Sequence, residues 1–367
     1  MYIEIIKDKL QFAVSKAEKI TGKNLTLPVL NNLLLKTDNG ILKVIATNLD
    51  LGIEIDIPVN IKEEGEVVVP GGLLNSLISS DFKSSKITLE TKENNNLHFL
   101  SDNNSTLIKT QPNEDFPSIP RLKDANSFTI NSKKLIKGLK SVWYSSSTSN
   151  IKPELSSVLI YPDGSNIVFV ATDSFRLAEK KVVLDNPVEF EQILIPFKNI
   201  PEIMRIFEDI DDDIKIYLTK NQIAFEYDNI YLTSRVIDGN FPDYQQLIPK
   251  EFTTEITLLK DDFMNSLKVS NLFSDKFNKI TLSIKTEQKV FEIVSKNNDV
   301  GENITKVDCV LSGDDVEISF NQKYIMDCFQ SISSDSLVLR FNGLNKPLVI
   351  KSTPDTGFTY LVMPMNN

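Results

Sequence analysis

Apolar and polar residues alternate along many short stretches of the chain, as in residues 214–218 (IKIYL). Alternation with a period of two predicts strands that bury one face against a core. Other segments space their apolar residues three or four apart, as Leu10, Ala13, Val14 and Ala17 do, which predicts amphipathic helices. The chain is therefore expected to combine antiparallel sheet with a few covering helices, an α+β fold with mainly β content.

The order of these elements repeats along the chain. Residues 27–55 read as a strand, an Asp-Asn-Gly turn, a second strand, an Ala-Thr-Asn triplet and a third strand. Residues 153–182 repeat this order with a Pro-Asp-Gly turn and an Ala-Thr-Asp triplet, so that Ala171 follows Ala46 by 125 residues. A fainter third copy covers residues 279–297. Repeats of this length predict similar supersecondary units in succession.

Proline-bearing segments close the first two copies, with Phe116-Pro117 before Ile119-Pro120 and Phe241-Pro242 before Ile248-Pro249. A predicted helix precedes each copy, and a strand leading into a second helix follows it. We therefore predict three domains, at residues 1–122, 123–249 and 250–367.

Composition excludes several classes of protein. The chain has 367 residues, 41% of them hydrophobic, but no apolar run long enough to cross a membrane. Charged residues within the first ten argue against a secretory signal, and two cysteines, Cys309 and Cys328, are too few for a disulfide framework. We expect a cytoplasmic protein. His98 is the only histidine, which argues against catalytic sites that need several histidines or a histidine in a triad. The net charge of −10 argues against a surface covered in nucleic-acid-binding residues.

Four motifs in this order resemble the bacterial sliding clamp, the β subunit of DNA polymerase III: residues 27–35 (LPVLNNLLL), 170–178 (VATDSFRLA), 238–244 (DGNFPDY) and 360–365 (YLVMPM). The resemblance spans the whole chain. It implies three clamp-type domains per subunit and a head-to-tail dimeric ring, with sheets outside and helices lining a hole for duplex DNA. It also implies a non-catalytic processivity factor, without cofactor or metal.

The partners implied by the resemblance are a second copy of the chain, duplex DNA of any sequence, a clamp loader ATPase, and the replicative polymerase and repair proteins. The proteins would bind through short linear peptides, in an apolar pocket between the second and third domains. The positions carried over to this pocket are Leu155, Thr172, Ser174, Phe175, Arg176, Leu177, Pro242, Gln246, Leu247, Phe277, Asn321, Tyr324, Pro347, Leu361, Val362, Met363, Pro364 and Met365.

The sequence departs from the family pattern at several of these places. Ser174-Phe175 replaces the usual Gly-His, so Phe175 is expected to add an apolar wall and to alter peptide preference. Gln245-Gln246 stands where many members carry arginine, and Gly71-Gly72 replaces a usual basic residue.

Residues 131–144 contain four lysines and no acidic residue, which gives one predicted helix a basic face suited to phosphates. An ordinary solvated helix face is the alternative. Lys7, Lys9, Lys16, Lys19 and Lys23 lie in or next to the equivalent helix of the first repeat and favour the DNA-lining interpretation. The positions expected to face DNA are Lys23, Asn24, Lys133, Lys134, Lys137, Lys140 and Lys198.

Ring closure would join the first domain of one subunit to the third domain of the other through edge strands. The positions assigned to this interface by analogy are Leu107, Ile108, Leu272, Phe273, Asp299 and Glu302.

Two other functions remain open on the residues alone. An enzyme acting on phosphates or sugars would use Asp173 and Arg176 as acid and anion clamp, but the sequence has no phosphate-binding loop or nucleophile elbow to support it. We interpret Asp173 as a turn carboxylate that accepts hydrogen bonds from nearby main-chain N–H groups. A repeat scaffold that binds peptides without DNA is the other alternative.

Overall fold

The computed structural model describes residues 1–22, 27–91, 96–122 and 125–365. The helices are α1 (Lys7–Glu18), α2 (Gly71–Ser80), α3 (Ser132–Val142), α4 (Ile200–Phe207), α5 (Lys260–Asn271) and α6 (Gln322–Asp327). The strands are β1 (Tyr2–Ile6), β2 (Asn32–Asp38), β3 (Ile41–Thr47), β4 (Leu51–Pro58), β5 (Asn60–Glu63), β6 (Glu66–Pro70), β7 (Lys86–Thr91), β8 (Leu97–Leu100), β9 (Ser105–Ile108), β10 (Asn126–Asn131), β11 (Ser157–Asp163), β12 (Asn166–Thr172), β13 (Arg176–Val183), β14 (Ile193–Pro196), β15 (Asp213–Leu218), β16 (Gln222–Tyr227), β17 (Ile230–Arg235), β18 (Thr254–Leu259), β19 (Lys279–Lys285), β20 (Val290–Asn297), β21 (Gly301–Lys306), β22 (Cys309–Gly313), β23 (Val316–Asn321), β24 (Ser336–Phe341), β25 (Leu348–Ser352) and β26 (Phe358–Val362).

The described residues form two compact units. The first comprises Met1–Lys133 with Lys198–Val236, and the second comprises Lys134–Phe197 with Ile237–Asn367. The first unit holds a five-stranded sheet, β5-β1-β7-β8-β9, and an eight-stranded sheet, β10-β15-β16-β17-β4-β3-β2-β6. The second holds a nine-stranded sheet, β14-β11-β12-β13-β26-β25-β24-β18-β22, and a four-stranded sheet, β21-β20-β19-β23. The pairings that define these sheets are antiparallel, which confirms the predicted α+β architecture.

Two of the sheets run across the predicted repeat boundaries. In the first unit, β4 pairs with β17, and in the second, β13 pairs with β26. Each of these pairs joins a strand of one repeat to the last strand of the next repeat. Because main-chain hydrogen bonds continue across these junctions, one part of the middle repeat belongs to the first compact unit and the other part to the second.

Each repeat folds as the apolar spacing predicts. Leu10, Ala13, Val14 and Ala17 form the fully buried face of α1. In the equivalent helix α3, Gly138 lies against the ring of Phe169, where a Cβ atom would come within 2.3 Å of the ring. A glycine is therefore needed for α3 to pack directly onto the sheet.

Candidate functional site

A tight turn joins β12 to β13 within the second unit. The Thr172 hydroxyl donates to the carbonyl of Arg176 at 2.6 Å and accepts from the N–H of Ser174 at 3.1 Å. The Asp173 carboxylate accepts from the N–H groups of Phe175 and Arg176, both at 3.0 Å. Asp173 therefore has the turn-forming contacts that its sequence context suggested.

The Arg176 side chain is the organising cation of this turn. Its Nε donates to Asp173 at 2.9 Å, one terminal nitrogen donates to Asp327, and the other donates to the carbonyl of Tyr144 at 2.7 Å. The guanidinium also lies 4.8 Å from the ring centroid of Tyr324. Burial alone would lower the pKa of Arg176, but Tyr360 and the two carboxylates raise it above its ordinary value. A fully partnered guanidinium of this kind holds its neighbours in place and is not offered to a ligand.

A cleft of about 460 Å³ opens beside this turn, and we name it the peptide cleft. Its lining is Phe175, Lys276, Phe277, Asn278, Asn321, Tyr324, Met363, Pro364 and Met365.

Aromatic residues and the C-terminal segment shape the peptide cleft. The Phe175 ring is 60% exposed and stacks on Tyr324 with centroids 6.3 Å apart. The N–H of Met363 donates to the carbonyl of Phe175 at 2.8 Å, which extends the β13–β26 pairing by one step. The cleft is therefore a largely apolar recess whose wall includes Phe175, one of the positions that depart from the family pattern.

The predicted pocket residues fall into three groups. Those that line the peptide cleft are Phe175, Phe277, Asn321, Tyr324, Met363, Pro364 and Met365. Those that are buried are Leu155, Leu177, Pro347, Leu361 and Val362, with Thr172 buried in the turn. The others lie in the turn (Ser174 and Arg176) or are exposed on the segment after β17 (Pro242, Gln246 and Leu247).

Sequence reasoning missed two lining residues, Lys276 and Asn278. The Lys276 ammonium lies 5.1 Å from the ring centroid of Phe277. A lysine next to an exposed phenylalanine, just before a strand, was the available signal for this position.

A second cleft of about 540 Å³ lies next to the C-terminal segment, residues 363–365, and we name it the edge cleft. Pro364 and Met365 line both clefts. The other residues of the edge cleft are Lys279, Thr281, Glu317, Ile318, Ser319, Leu344 and Asn345. None of these was predicted from the sequence.

Most lysines expected to face DNA have acidic neighbours. Lys133 pairs with Asp211, Lys134 with Asp185 at 2.8 Å, Lys137 with Asp355 at 4.0 Å, and Lys198 with Asp50. Lys140 is exposed and has no ion pair with any residue that the structure describes. Lys23 and Asn24 lie outside the described residues. The helix has no acidic residue of its own, but other segments partly balance its charge.

Lys16 differs from the other lysines of α1. Its ammonium donates to the carbonyl of Ile206 at 2.8 Å, at the C-terminal end of α4 in the same unit. Burial lowers the pKa of Lys16. Lys16 thus completes the last turn of a helix, so its ammonium has a main-chain partner within the same unit.

The predicted interface residues lie on or near the outermost strands of two sheets, as seen in the described ranges. Leu107, which is 55% exposed, and the buried Ile108 lie on β9, the edge of the five-stranded sheet. Glu302 lies on β21, the edge of the four-stranded sheet, and Asp299 lies in the turn before it. Leu272 is 70% exposed and, with Phe273, follows the end of α5.

Among the residues in the described ranges, no helix is long and apolar enough to span a membrane.

Models of the DNA polymerase III beta subunit match nearly the whole chain. The N-terminal domain model matches residues 1–120, the central domain model residues 129–243, and the C-terminal domain model residues 245–366.

Curated relatives and solved structures agree with these matches. A beta sliding clamp of Staphylococcus aureus is 26% identical over 374 aligned positions, covering 100% of this chain and 99% of the relative. A beta sliding clamp of Staphylococcus epidermidis is 26% identical, covering 95% and 94%. The sliding clamp structure from Bacillus subtilis superimposes with a TM-score of 0.94 at 24% identity, covering 100% and 99%. A Pseudomonas aeruginosa clamp bound to griselimycin gives 0.94 at 23%, with full coverage of both chains.

Proposed function

The chain belongs to the DNA polymerase III beta subunit family, and from this premise we propose that it is a sliding clamp that works as a dimeric ring. The ring encircles duplex DNA and tethers the replicative polymerase and repair proteins, without catalytic activity or cofactor of its own. A clamp loader ATPase opens and closes it on DNA in the cytoplasm. The observation that carries this function is the match of all three domain models. It is supported by β9 and β21, which are the outermost strands of their sheets in the part of the chain that the structure describes. The domains proposed are 1–122, 123–249 and 250–367.

The free edges support head-to-tail dimerisation. The four-stranded sheet ends at β21, and the five-stranded sheet ends at β9. Joining β21 of one subunit to β9 of another would make a sheet of nine strands, as many as the longer sheet within the chain. Exposed strand edges are normally covered or paired. This contact would give hydrogen-bond partners to the outward main-chain groups of both β9 and β21. Contact of different surfaces closes a ring when the rotation allows it.

The internal junctions predict how these edges pair. Gly52 pairs with Thr233 at one junction, and Leu177 pairs with Leu361 at the other. Ala46 and the equivalent Ala171 pair with Ile53 and Ala178 in their own hairpins. The residues just before these partners, Gly52 and Leu177, are therefore equivalent too. Both junctions thus share one register.

The third copy is aligned through its own hairpin, in which Ser295 pairs with Asn303. This alignment puts Glu302 at the position of Leu177. In the first repeat, Leu107 occupies the position of Thr233, since β8 pairs with β9 as β16 pairs with β17. Leu107 is therefore expected to face Glu302 of a second copy.

The directions of the main-chain N–H and C=O groups along β9 and β21 agree with that pairing. The N–H of Val307, just after β21, donates to the carbonyl of Phe291 on β20. The N–H of Ser101 donates to the carbonyl of Asn104 in the turn between β8 and β9. Because main-chain groups alternate in direction along an antiparallel strand, Glu302 and Leu107 both direct theirs to the free edges. They would form a hydrogen-bonded pair across the interface.

DNA binding needs only weak contacts that do not depend on sequence, because a closed ring cannot dissociate sideways. The lysines proposed to contact phosphates are Lys133, Lys134, Lys137, Lys140 and Lys198, with Lys23 and Asn24 as further candidates. Exposed ion pairs contribute little energy, so phosphates can replace the acidic partners of these lysines.

The peptide cleft is the proposed site for partner proteins. It supports short linear peptides because it is a concave, mostly apolar recess with polar groups at its rim. Met363 and Met365 suit several related peptides, since unbranched thioethers adapt their packing. The Pseudomonas aeruginosa clamp structure contains bound griselimycin, so a protein with this fold accepts a ligand.

Retention on circular DNA tests the function. The protein would be loaded onto nicked circular DNA with its clamp loader and ATP, and retention measured before and after the circle is cut to a linear form. A clamp stays on the circle and leaves after cutting. Protein that an active loader never places on the circle would favour a peptide-binding scaffold instead.

A further inference from the structure

Strand β23 is the last strand of the four-stranded sheet, and within the described residues β19 is the only strand that pairs with it. The N–H of Met365 donates to the carbonyl of Ser319 at 2.9 Å, on the side of β23 that faces away from β19. Main-chain groups alternate in direction along a strand, so Glu317 directs its N–H and C=O to the same side. The side chains of Thr281 and Ser319 lie 2.9 Å apart, as expected for a closely spaced pair without main-chain hydrogen bonds between them.

The edge cleft opens along this part of β23. Thr281, Glu317 and Ser319 line it from the sheet, and Leu344 and Asn345 line it from the loop between β24 and β25. Its lining is more polar than that of the peptide cleft, and the main-chain groups of Glu317 lie at its margin. Such a surface suits an extended main chain better than an apolar anchor residue.

The two clefts meet at Pro364 and Met365, which line both. A peptide bound in the peptide cleft would therefore lead its flanking residues into the edge cleft. Met365 already bonds to this edge as an added strand would, which shows that the edge can accept one.

We propose that the edge cleft binds the residues flanking a partner's cleft-binding peptide, as an extended strand paired with Glu317. This rests on the proposed function of the peptide cleft. Glu317 is exposed, so the flank is expected to carry Lys or Arg opposite its carboxylate. The partner is thus a linear segment with apolar residues for the peptide cleft, followed or preceded by a basic, strand-forming stretch.

Peptides of two lengths test the proposal. Overlapping ten-residue synthetic peptides that tile the organism's replicative polymerase are screened by fluorescence anisotropy against the full-length protein. The binding peptide is then extended by its natural flanks. Two added main-chain hydrogen bonds should tighten binding roughly tenfold. N-methylation of the flank amides should remove that gain.

Protein variants separate the possible outcomes. Glu317→Pro removes the outward N–H without breaking the ladder to β19, and Glu317→Lys reverses the charge. Glu317→Pro should remove most of the gain from the flank, because it removes a main-chain donor. Glu317→Lys keeps both main-chain groups and should reduce the gain only by repelling a basic flank. Both variants should leave the short peptide's affinity unchanged. Glu287→Lys, the same charge change in the exposed turn between β19 and β20, should leave the gain intact.

The two proposals fail in different ways. If no short peptide binds, the peptide cleft itself is wrong. If a short peptide binds and its flanks add nothing, or if the gain survives both N-methylation and Glu317→Pro, strand addition at β23 is overturned. A gain that appears only after residues 366–367 are deleted would assign the edge cleft to the chain's own end and would also overturn the proposal.

Discussion

Leu49 and Ser174 stand 125 residues apart and adopt the same left-handed backbone conformation, with φ of 76° and 77°. Each is the second residue after the Ala-Thr pair in its repeat. In each turn the side chain of the preceding polar residue, Asn48 in the first and Asp173 in the second, accepts hydrogen bonds from two main-chain N–H groups. The turn is therefore a conserved feature of the two repeats within this chain, although neither copy has the glycine that the conformation favours.

Replacing Ser174 by glycine should stabilise the protein. A non-glycine residue at φ of 77° is strained, and relief of this strain outweighs the greater freedom of glycine in the unfolded chain. We expect a net gain of about 0.5 to 1 kcal/mol, because about 1 to 2 kcal/mol of strain is relieved and about 0.5 to 1 kcal/mol is lost to the freer unfolded chain. The gain is measured as a higher denaturant midpoint. Ser174→Ala keeps the strain and serves as the control. A midpoint for the glycine variant at or below that of wild type would contradict the prediction.

Lys16→Met should destabilise the protein. The variant keeps the apolar stem but loses the ammonium that donates to the Ile206 carbonyl at the end of α4. The expected loss is about 1 kcal/mol in the free energy of unfolding. Lys19, three residues further along the chain, is exposed and pairs with its neighbour Glu18. Lys19→Met is therefore the matched control and should change stability little. Equal effects for both variants would refute the capping role.

Local sequence predicted the hairpins and repeats because their signals are local. Gly40 and Gly164 follow Asn39 and Asp163 and have φ of 82° and 61°, as the turn motifs require. The partner of Lys16 lies 190 residues away, and Asp185, Asp211 and Asp355 reach the lysines of α3 from distant segments. No spacing rule along one chain reveals such pairs.

The clefts were harder to predict than the strands for a related reason. Phe175 and Tyr324 belong to different repeats and meet only when β13 pairs with β26. The resemblance supplied these positions. Lys276, Asn278 and the residues of the edge cleft other than Pro364 and Met365 emerged only from the fold.

Lys140→Glu should weaken retention on DNA more than Lys134→Glu does. Lys140 has no ion pair with any described residue, whereas Lys134 already pairs with Asp185. Binding measured against salt concentration should show a shallower slope for Lys140→Glu, by roughly one phosphate contact. Asp185→Asn frees Lys134 and should strengthen binding. Unchanged retention in both lysine variants would remove α3 from the DNA-binding surface.

Arg176→Lys should weaken peptide binding without affecting the dimer. Lysine keeps the charge but cannot bond Asp173, Asp327 and the Tyr144 carbonyl together, so Tyr324 loses its support. We expect about a tenfold loss of peptide affinity by fluorescence anisotropy. Arg340→Lys, which alters an arginine paired with Glu255 and lining neither cleft, is the control. Wild-type affinity in the Arg176 variant would show that the peptide cleft does not depend on this cation.

A designed disulfide tests the dimer register. Leu107→Cys with Glu302→Cys should form an intermolecular bond on mild oxidation, because a hydrogen-bonded antiparallel pair separates its Cα atoms by about 5.5 Å. The half-exposed Cys309 is first replaced by serine, while Cys328 is buried and can stay. The matched control pairs Leu107→Cys with Ile304→Cys, which lies on the same strand about 6.8 Å further along. Non-reducing electrophoresis should show a covalent dimer for the first pair and mostly monomer for the control. A stronger cross-link through position 304 would shift the register by two residues, and no cross-link in either, with a dimer still present in solution, would remove β9 and β21 from the interface.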